Sequence, residues 1–245
     1  MKDKIIADLK HIGVADGDVL MVHASFKSLG VNDISPADVV DILINSVGKS
    51  GTLLMPALSG AQTPKGHHDN KMTPSNIGVI PEAFRLTGGV RRSMHPTHSV
   101  CAIGRLAEEL LDEHEKDRTP CGVHSPFRKI LFINAKILML GCTLKPNTTM
   151  HAVEECIGTP YLLGDEMEYS ITDSRGNKSI KTYRNHDFKG FTQRYDRLGG
   201  LINSVSLHKG MIVNAESYLI ETEAIFNYGI NALRKDRYYF VDKYD

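Results

Sequence analysis

Hydrophobic residues in the first part of the chain alternate between helical and strand-like spacing. Residues 3–12 carry apolar side chains at the three- and four-residue intervals of a helix, and residues 19–22 form a short apolar run. The pattern then repeats, with a helix over residues 36–47 that Ser35 caps and a strand over residues 52–55. This order predicts an α/β fold with a central, mostly parallel sheet flanked by helices.

The spacing is less regular further along the chain. Residues 57–78 have no clear period, and a loop of this length is usually functional or mobile. Helices are predicted over residues 80–86, 106–111, 126–132, 186–197 and 216–233, and strands over residues 99–103, 137–140 and 211–214. Strands over residues 166–172 and 179–183 predict a small β-hairpin insertion, a possible subdomain of about 159–185 within a single domain of 1–245.

Composition narrows the functional classes. The 245 residues are 41% hydrophobic and 24% charged, so the chain can bury a sizeable core. The 29 acidic residues balance 29 basic ones and Trp is absent, which argues against a nucleic-acid partner. No apolar run reaches the roughly 20 residues of a membrane span. The N-terminus lacks the pattern of a signal peptide, and the four cysteines form no CxxC pair, so a cytoplasmic protein with free thiols is expected.

The strongest candidate for chemistry is the stretch over residues 137–155, which predicts a buried strand, a loop and a helix that begins at Thr148 or Thr149. His151 and Glu154 then share one face of the helix. An imidazole just past a strand end is a typical active-site position in an α/β protein. The alternative is a core histidine satisfied by a carboxylate. A general base needs an orienting acid, either Glu154 or the distant Asp187.

Other patterns leave alternatives open. His95 and His98 form an HxxH pair that, with His151, suggests a metal-dependent hydrolase, but no HExxH motif is present and no metal is expected. Cys142 and Cys156 flank His151 and leave a Cys–His nucleophile open, although buried small residues are more usual. The segment HASFKSLG, residues 23–30, offers hydroxyls, a lysine and backbone amides to a phosphate or to the amide-rich arm of a cofactor.

Five motifs occur in a characteristic order: VHASFKSLG, GTLLMPAL, RRSMHPTHSVCAIG, HSPFRKI and LMLGCTLKPNTTMHAVEE. In this order and spacing they resemble the aminoglycoside 3-N-acetyltransferases, the antibiotic N-acetyltransferase family. The resemblance is strong over residues 1–158. It implies a family-specific α/β fold, not the common GNAT fold, with acetyl-CoA as co-substrate and an amine of an aminoglycoside or amino sugar as acceptor. A homodimer is possible.

The resemblance also implies roles for individual residues. His151 corresponds to the general base, with Asp187 slightly preferred over Glu154 as its partner, and Thr148 or Thr149 would hold the oxyanion. The residues expected along the cofactor tunnel are His23, Ala24, Ser25, Phe26, Lys27, Ser28, Arg92, Ser93 and His95. With no nucleophile indicated, we expect direct transfer in a ternary complex.

The chain also departs from the family pattern. It is shorter than typical drug-modifying members. Its one obvious acidic cluster near the site consists of Glu154, Glu155, Asp165 and Glu166. A sugar amine is therefore as plausible an acceptor as an antibiotic. A CoA-binding relative without catalytic activity is a further alternative.

Overall fold

The computed structural model describes residues 1–60 and 66–244. The α-helices are α1 (Lys2–Ile12), α2 (Pro36–Val47), α3 (Val79–Leu86), α4 (Ala107–Leu111), α5 (Pro126–Lys129), α6 (Thr149–Ile157) and α7 (Thr222–Lys235). The strands are β1 (Val19–Ala24), β2 (Thr52–Pro56), β3 (His67–Asp69), β4 (Arg91–Arg92), β5 (Val100–Gly104), β6 (Ala135–Leu140), β7 (Leu163–Thr172), β8 (Lys178–His186), β9 (Phe191–Gln193), β10 (Leu207–Ile212), β11 (Ala215–Glu221) and β12 (Val241–Lys243). Short 3-10 helices cover Lys27–Leu29, His114–Lys116, Ile130–Phe132 and Tyr195–Gly200.

The main sheet of the described residues has seven strands in the order β10-β11-β6-β1-β2-β5-β4. At its centre β1 pairs in parallel with both β2 and β6. The outer pairings are antiparallel and join β10 with β11, β11 with β6, β2 with β5 and β4 with β5. Five strands therefore run in one direction and only β5 and β11 oppose them. The predicted parallel arrangement holds at the centre, and the sheet as a whole is mixed.

Successive side chains of the central strands point to opposite faces of the sheet, which divides the core into two layers. Val19 and Met21 of β1 face a cluster that includes α4, α5, α6 and α7. Leu20 and Val22 face a second cluster that includes α1, α2 and α3. Helices therefore cover both faces of the sheet, as the sequence predicts. His23 continues the series of Val19 and Met21 and so lies on the α6 side.

The hairpin is longer than predicted and joins a second sheet. Strands β7 and β8 pair antiparallel around a tight turn, in which the amide of Asp173 donates to the carbonyl of Asn177 at 2.9 Å. Strand β3 adds in parallel to β7, so part of the predicted 57–78 loop is sheet. Residues 61–65 of that loop lie outside the described residues.

Near the C-terminus one helix prediction is wrong and another begins too early. Residues 186–197 contain the end of β8, strand β9 and the start of a 3-10 helix. In residues 216–233 the helix begins only at Thr222, because the preceding residues form β11 between β10 and β6. The predicted strand over 211–214 lies instead at Leu207–Ile212. Within the described chain, no helix has both the length and the hydrophobicity that crossing a bilayer demands.

Candidate active site

A cleft of about 430 Å³ opens where the carboxyl ends of β1, β2 and β6 meet. Ligands in open α/β sheets bind at this kind of position. The lining residues are Val22, His23, Ala24, Pro56, Leu58, Ile77, Pro81, His98, Cys142, Pro146, Asn147, Thr148, His151, His186, Phe188, Gln193 and Tyr195. Histidines from four separate segments therefore meet in one place.

His151 reaches the cleft from the first turn of α6. The preceding loop leaves β6 at Gly141, whose φ of 66° is in the left-handed region. A Cβ at this position would lie only 2.8 Å from the Cβ of Ser28, so glycine lets the loop pass close to the turn after β1. His151 is 7% exposed, and Thr148, one turn earlier, also lines the cleft.

The imidazole of His151 is tied to a buried tyrosine and a buried glutamate. The hydroxyl of Tyr195 lies 2.7 Å from His151 Nδ1 and donates to Glu154 Oε2 at 2.6 Å. Because the single hydroxyl proton goes to the carboxylate, the tyrosine oxygen accepts from Nδ1–H. The Nε2 atom of His151 therefore keeps its lone pair. Glu154 is fully buried and also accepts from the hydroxyl of Tyr161 at 2.6 Å.

The two candidate carboxylates lie in different surroundings. Glu154 Oε2 is 3.4 Å from His151 Nδ1, and Tyr195 bridges the two groups. Asp187 follows the end of β8 and is exposed, with its backbone amide donating to the carbonyl of Leu162 at 2.9 Å. Within residues 1–60 and 66–244, the carboxylate of Asp187 makes no hydrogen bond with His151. The geometry thus puts Glu154, the carboxylate less preferred from the sequence, next to the imidazole.

A second histidine–carboxylate pair lies beside the first. The His186 ring centroid is 4.6 Å from that of His151, and His186 Nε2 is 2.8 Å from Glu155 Oε1. Glu155 also accepts from the hydroxyl of Thr119 at 2.6 Å and from the amide of Cys121 at 2.8 Å. Burial lowers the pKa of His186 well below its usual value, with a smaller contribution from His151. His186 is therefore neutral, and its Nε2–H donates to Glu155.

His98 lines the cleft, whereas His95 lies behind it. Nδ1 of His98 is 2.9 Å from the hydroxyl of Thr97. Nδ1 of His95 accepts from the backbone amides of Thr97 at 3.3 Å and His98 at 3.1 Å, so this ring shapes the turn around Pro96. Burial lowers the pKa of both rings well below the usual histidine value. The histidines that meet are His98, His151 and His186, with His186 in the place that the sequence suggested for His95.

The segment over residues 23–28 forms one wall of the cleft and the turn beyond it. His23 and Ala24 line the cleft at the end of β1. The amide of Ser25 donates to the carbonyl of Leu140 at 2.8 Å, and its hydroxyl lies 2.8 Å from that of Ser28. Phe26 packs against the second core layer, and Lys27 and Ser28 are exposed. Burial lowers the pKa of His23 to about 3, so its ring is neutral.

Arg92 and Ser93 are held within the protein interior rather than along this cleft. The Arg92 guanidinium donates to the hydroxyl of Ser99 at 2.7 Å and to the carbonyls of Thr73 and Ala57. Burial lowers its pKa to about 10, so it stays charged. The hydroxyl of Ser93 is 2.9 Å from Nδ1 of His114. Arg92 thus ties the segment after β2 to β4.

Neither cysteine near His151 has the properties of an activated nucleophile. Burial raises the pKa of the Cys142 thiol to about 12, and Cys142 Sγ lies 3.6 Å from the carbonyl oxygen of His23. Burial also raises the pKa of Cys156. Because the thiolate is the reactive form, both groups are poor nucleophiles at neutral pH.

Tyr195, Tyr161 and His186 were not predicted as site residues. His186 is adjacent to Asp187 in the NHDF motif, which the sequence assigned to a helix. Strand alternation at the end of β8 would have indicated that the two neighbours point to opposite faces. Tyr195 lies 44 positions after His151 in the chain and has no local signal. Only the fold brings these side chains together.

Comparison with known proteins agrees with this architecture. The family model for aminoglycoside 3-N-acetyltransferase matches residues 21–234. Aminoglycoside N(3)-acetyltransferase III from Salmonella sp is 28% identical over 255 residues, covering 93% of this chain and 89% of the relative. A complex of AAC-IIIb with CoASH has a TM-score of 0.82 at 27% identity, covering 96% of each chain. A mutant of AAC(3)-IVa in complex with a gentamicin has a TM-score of 0.83 at 26% identity, covering 98% of this chain and 90% of that one.

The family model covers most of the chain, and the three proteins named above are matched over 89–96% of their own length. The cleft, the helix that carries His151 and the turn after β1 all fall within the matched residues. The chain is an acyltransferase and belongs to the aminoglycoside 3-N-acetyltransferase family.

Proposed function

We propose that this protein transfers the acetyl group of acetyl-CoA to an amine of an aminoglycoside or amino sugar, with His151 as general base. The observation that carries the proposal is the hydrogen-bonded chain from His151 through Tyr195 to Glu154. It leaves the Nε2 lone pair of an imidazole that lines the cleft, whose volume is about 430 Å³. The CoASH complex of AAC-IIIb supports the choice of co-substrate.

His151 removes a proton from the acceptor. An alkyl amine is mostly protonated at neutral pH, and its ammonium form has no lone pair for attack. Nε2 of His151 takes one proton from the ammonium, and the freed lone pair of the nitrogen then bonds to the thioester carbonyl carbon. Nδ1–H then belongs to an imidazolium, which the Tyr195 hydroxyl and the buried charge of Glu154 stabilise. As the carbon–sulfur bond breaks, the imidazolium passes its Nε2 proton to the sulfur, which leaves as the CoA thiol. The acetylated nitrogen releases its remaining extra proton to solvent.

The remaining groups of the cleft bind and polarise the thioester. Thr148 lies one turn before His151 and offers a hydroxyl to the developing oxyanion, for which a donor is worth about 3 kcal/mol. Residues 23–28 provide the cofactor wall, where the exposed Lys27 is suited to a phosphate. Arg92 has no direct part in this wall, since its guanidinium donates to the carbonyls of Thr73 and Ala57.

Direct transfer in a ternary complex fits the chemistry of the cleft. An acetyl-enzyme would require an activated nucleophile near His151. Burial keeps Cys142 protonated, with a pKa of about 12. The amine therefore attacks acetyl-CoA itself, without a covalent enzyme intermediate.

The acidic side chains near the cleft suit an amino sugar with few positive groups as well as they suit an aminoglycoside antibiotic. Of the acidic cluster over residues 154–166, Glu154 and Glu155 are occupied by hydrogen bonds in the interior. Asp165 and Glu166 are exposed and available to cations. Asp187 is a further exposed carboxylate beside Phe188, which lines the cleft. The acceptor is thus an amine whose positive charge a few carboxylates can balance.

A thiol-release assay with acetyl-CoA over a panel of aminoglycosides and amino sugars tests the proposal. We expect release that depends on one class of amine and an acetylated product of matching mass. CoA binding by calorimetry without amine-dependent release across the panel would favour a non-catalytic CoA-binding protein instead. Hydrolysis of acetyl-CoA that no amine accelerates would also contradict the proposal.

A further inference from the structure

Three imidazoles converge on the cleft from different elements. His98 follows the turn around Pro96, His151 lies on α6 and His186 ends β8. One ligating nitrogen from each lies within 4.8 Å of the other two. The ring planes cross at 73° for His98 and His151, 72° for His98 and His186, and 67° for His151 and His186. The rings are therefore arranged around a common point and are not stacked.

The hydrogen bonds of each ring indicate which nitrogen carries the proton and which one is left to bind a cation. His186 Nε2 donates to Glu155 at 2.8 Å, which leaves Nδ1 buried and without a hydrogen-bond partner in the described structure. His151 Nδ1 donates to the hydroxyl of Tyr195 at 2.7 Å, so its lone pair is on Nε2. Each of these two rings thus has its proton on one nitrogen and a lone pair on the other.

The third ring follows the same pattern. The hydroxyl of Thr97 donates to Asn185 Oδ1 at 3.3 Å, and the amide of Asn185 is oriented by its donation to the hydroxyl of Tyr169 at 2.6 Å. The Thr97 oxygen, 2.9 Å from His98 Nδ1, therefore accepts from that nitrogen. His98 Nε2 carries the remaining lone pair.

Three imidazoles that each offer one lone-pair nitrogen within 4.8 Å of the others form a donor set suited to a cation. Metal-ligating histidines usually donate their other N–H to a carboxylate, hydroxyl or carbonyl, which holds the ring and raises its basicity. Glu155, Tyr195 and Thr97 are such partners. Zn²⁺ binds imidazole nitrogen at about 2.0–2.1 Å, and three histidines with a fourth position open to a cleft are a known ligand set for it.

We propose that His98, His151 and His186 form a binding site for a zinc ion, which inhibits the enzyme by occupying the nitrogen of its general base. Small side-chain rotations bring the three nitrogens from within 4.8 Å of one another onto a single ion. His95, which the HxxH spacing suggested as a ligand, is excluded because its Nδ1 accepts two backbone amides. Zinc at this site would be a reversible inhibitor, not a cofactor, since it removes the base from the reaction.

The binding test needs no enzymatic turnover. Metal-free protein is titrated with Zn²⁺ in competition with a chromophoric chelator, and with Co²⁺ while its visible absorption is recorded. We expect one zinc ion per chain and the intense absorption of tetrahedral cobalt. His98→Gln and His186→Gln should each weaken zinc binding at least about tenfold. His208→Gln, which replaces an exposed histidine on β10, should leave it unchanged. Thermal unfolding of each variant verifies that it is folded.

The inhibition test rests on the proposed function, and the two ideas can fail separately. Zn²⁺ should stop acetyl transfer in the wild type, a chelator should restore it, and a saturating amine acceptor should raise the zinc concentration required. Zinc affinity equal in wild type and both folded ligand variants would overturn the metal site. Tight zinc binding by a protein that acetylates no amine even when metal-free would leave the site standing and reject the transferase mechanism.

Discussion

Replacement of Tyr195 by phenylalanine tests the chain that connects His151 to Glu154. The change removes one oxygen, which lies 2.7 Å from His151 Nδ1 and 2.6 Å from Glu154 Oε2. Glu154 keeps the hydroxyl of Tyr161 at 2.6 Å, so its charge stays partly satisfied. The imidazolium formed during proton transfer loses its acceptor, since Glu154 Oε2 at 3.4 Å is too far for a strong bond.

The expected size of the effect follows from this loss. A hydrogen bond to a charged group contributes about 1.5–3 kcal/mol. If the bond forms fully only with the imidazolium, kcat falls by roughly 10- to 100-fold, since about 1.36 kcal/mol corresponds to a factor of ten. Stability should fall by about 1–3 kcal/mol, because two buried polar groups lose a partner.

The assay measures kcat and the KM for acetyl-CoA by thiol release, together with urea unfolding. The KM for acetyl-CoA should stay near the wild-type value, because the Tyr195 hydroxyl contacts Nδ1 of His151 and not the Nε2 atom that takes the proton. Tyr218→Phe is the matched control, since the hydroxyl of Tyr218 also donates to a glutamate, Glu216, outside the cleft. A Tyr195→Phe enzyme that is less stable but keeps its kcat would assign the hydroxyl a structural role only and refute the reasoning.

Three further predictions concern the wall of the cleft, the thiol and the buried histidines. Gly141→Ala should raise the KM for acetyl-CoA and cost about 1–2 kcal/mol of stability, because the new Cβ meets Ser28 at 2.8 Å in a left-handed conformation; steady-state kinetics and urea unfolding measure both. Cys142→Ser should reduce kcat by far less than the roughly 10²-fold expected for a reacting group; a loss of that size would indicate an acetyl-enzyme. Acid should unfold the protein steeply, because burial lowers the pKa of six histidines and the unfolded chain takes up protons that the folded protein does not. The free energy of unfolding begins to fall as the pH drops below about 6.5, and the loss reaches about 1.4 kcal/mol per histidine near pH 5.5. Unfolding curves at several pH values measure it. These histidines are His23, His68, His95, His98, His114 and His186. Stability independent of pH between 7 and 5 would contradict that prediction.

Local signals in the sequence determined what could be predicted of the fold. Helix α2 begins and ends where the sequence placed it, at Pro36–Val47, because the cap is local. Ser35 accepts from the amide of Asp38, and the Asp38 carboxylate accepts from the amide of Ser35. The start of α7 was misplaced because the strand before it owes its conformation to neighbours, β10 and β6, that are distant in the chain.

The candidate site could be predicted only in part for the same reason. The strand–loop–helix pattern was enough to indicate His151 and its neighbour Glu154, which lie in one helix. Tyr195 joins them from a 3-10 helix 44 positions further along the chain, and His186 comes from the end of the hairpin. Pairings of this kind depend on tertiary packing, which leaves no periodic trace in a single sequence.

The most direct test of the central claim is the rate of acetyl transfer by His151→Ala. With an acceptor identified from the amine panel, we expect kcat to fall by about 10²-fold or more, because a positioned base contributes at least this much. Calorimetry should find acetyl-CoA binding nearly unchanged, and His208→Ala should behave as wild type. Turnover by folded His151→Ala at the wild-type rate would contradict the assignment of His151 as the base.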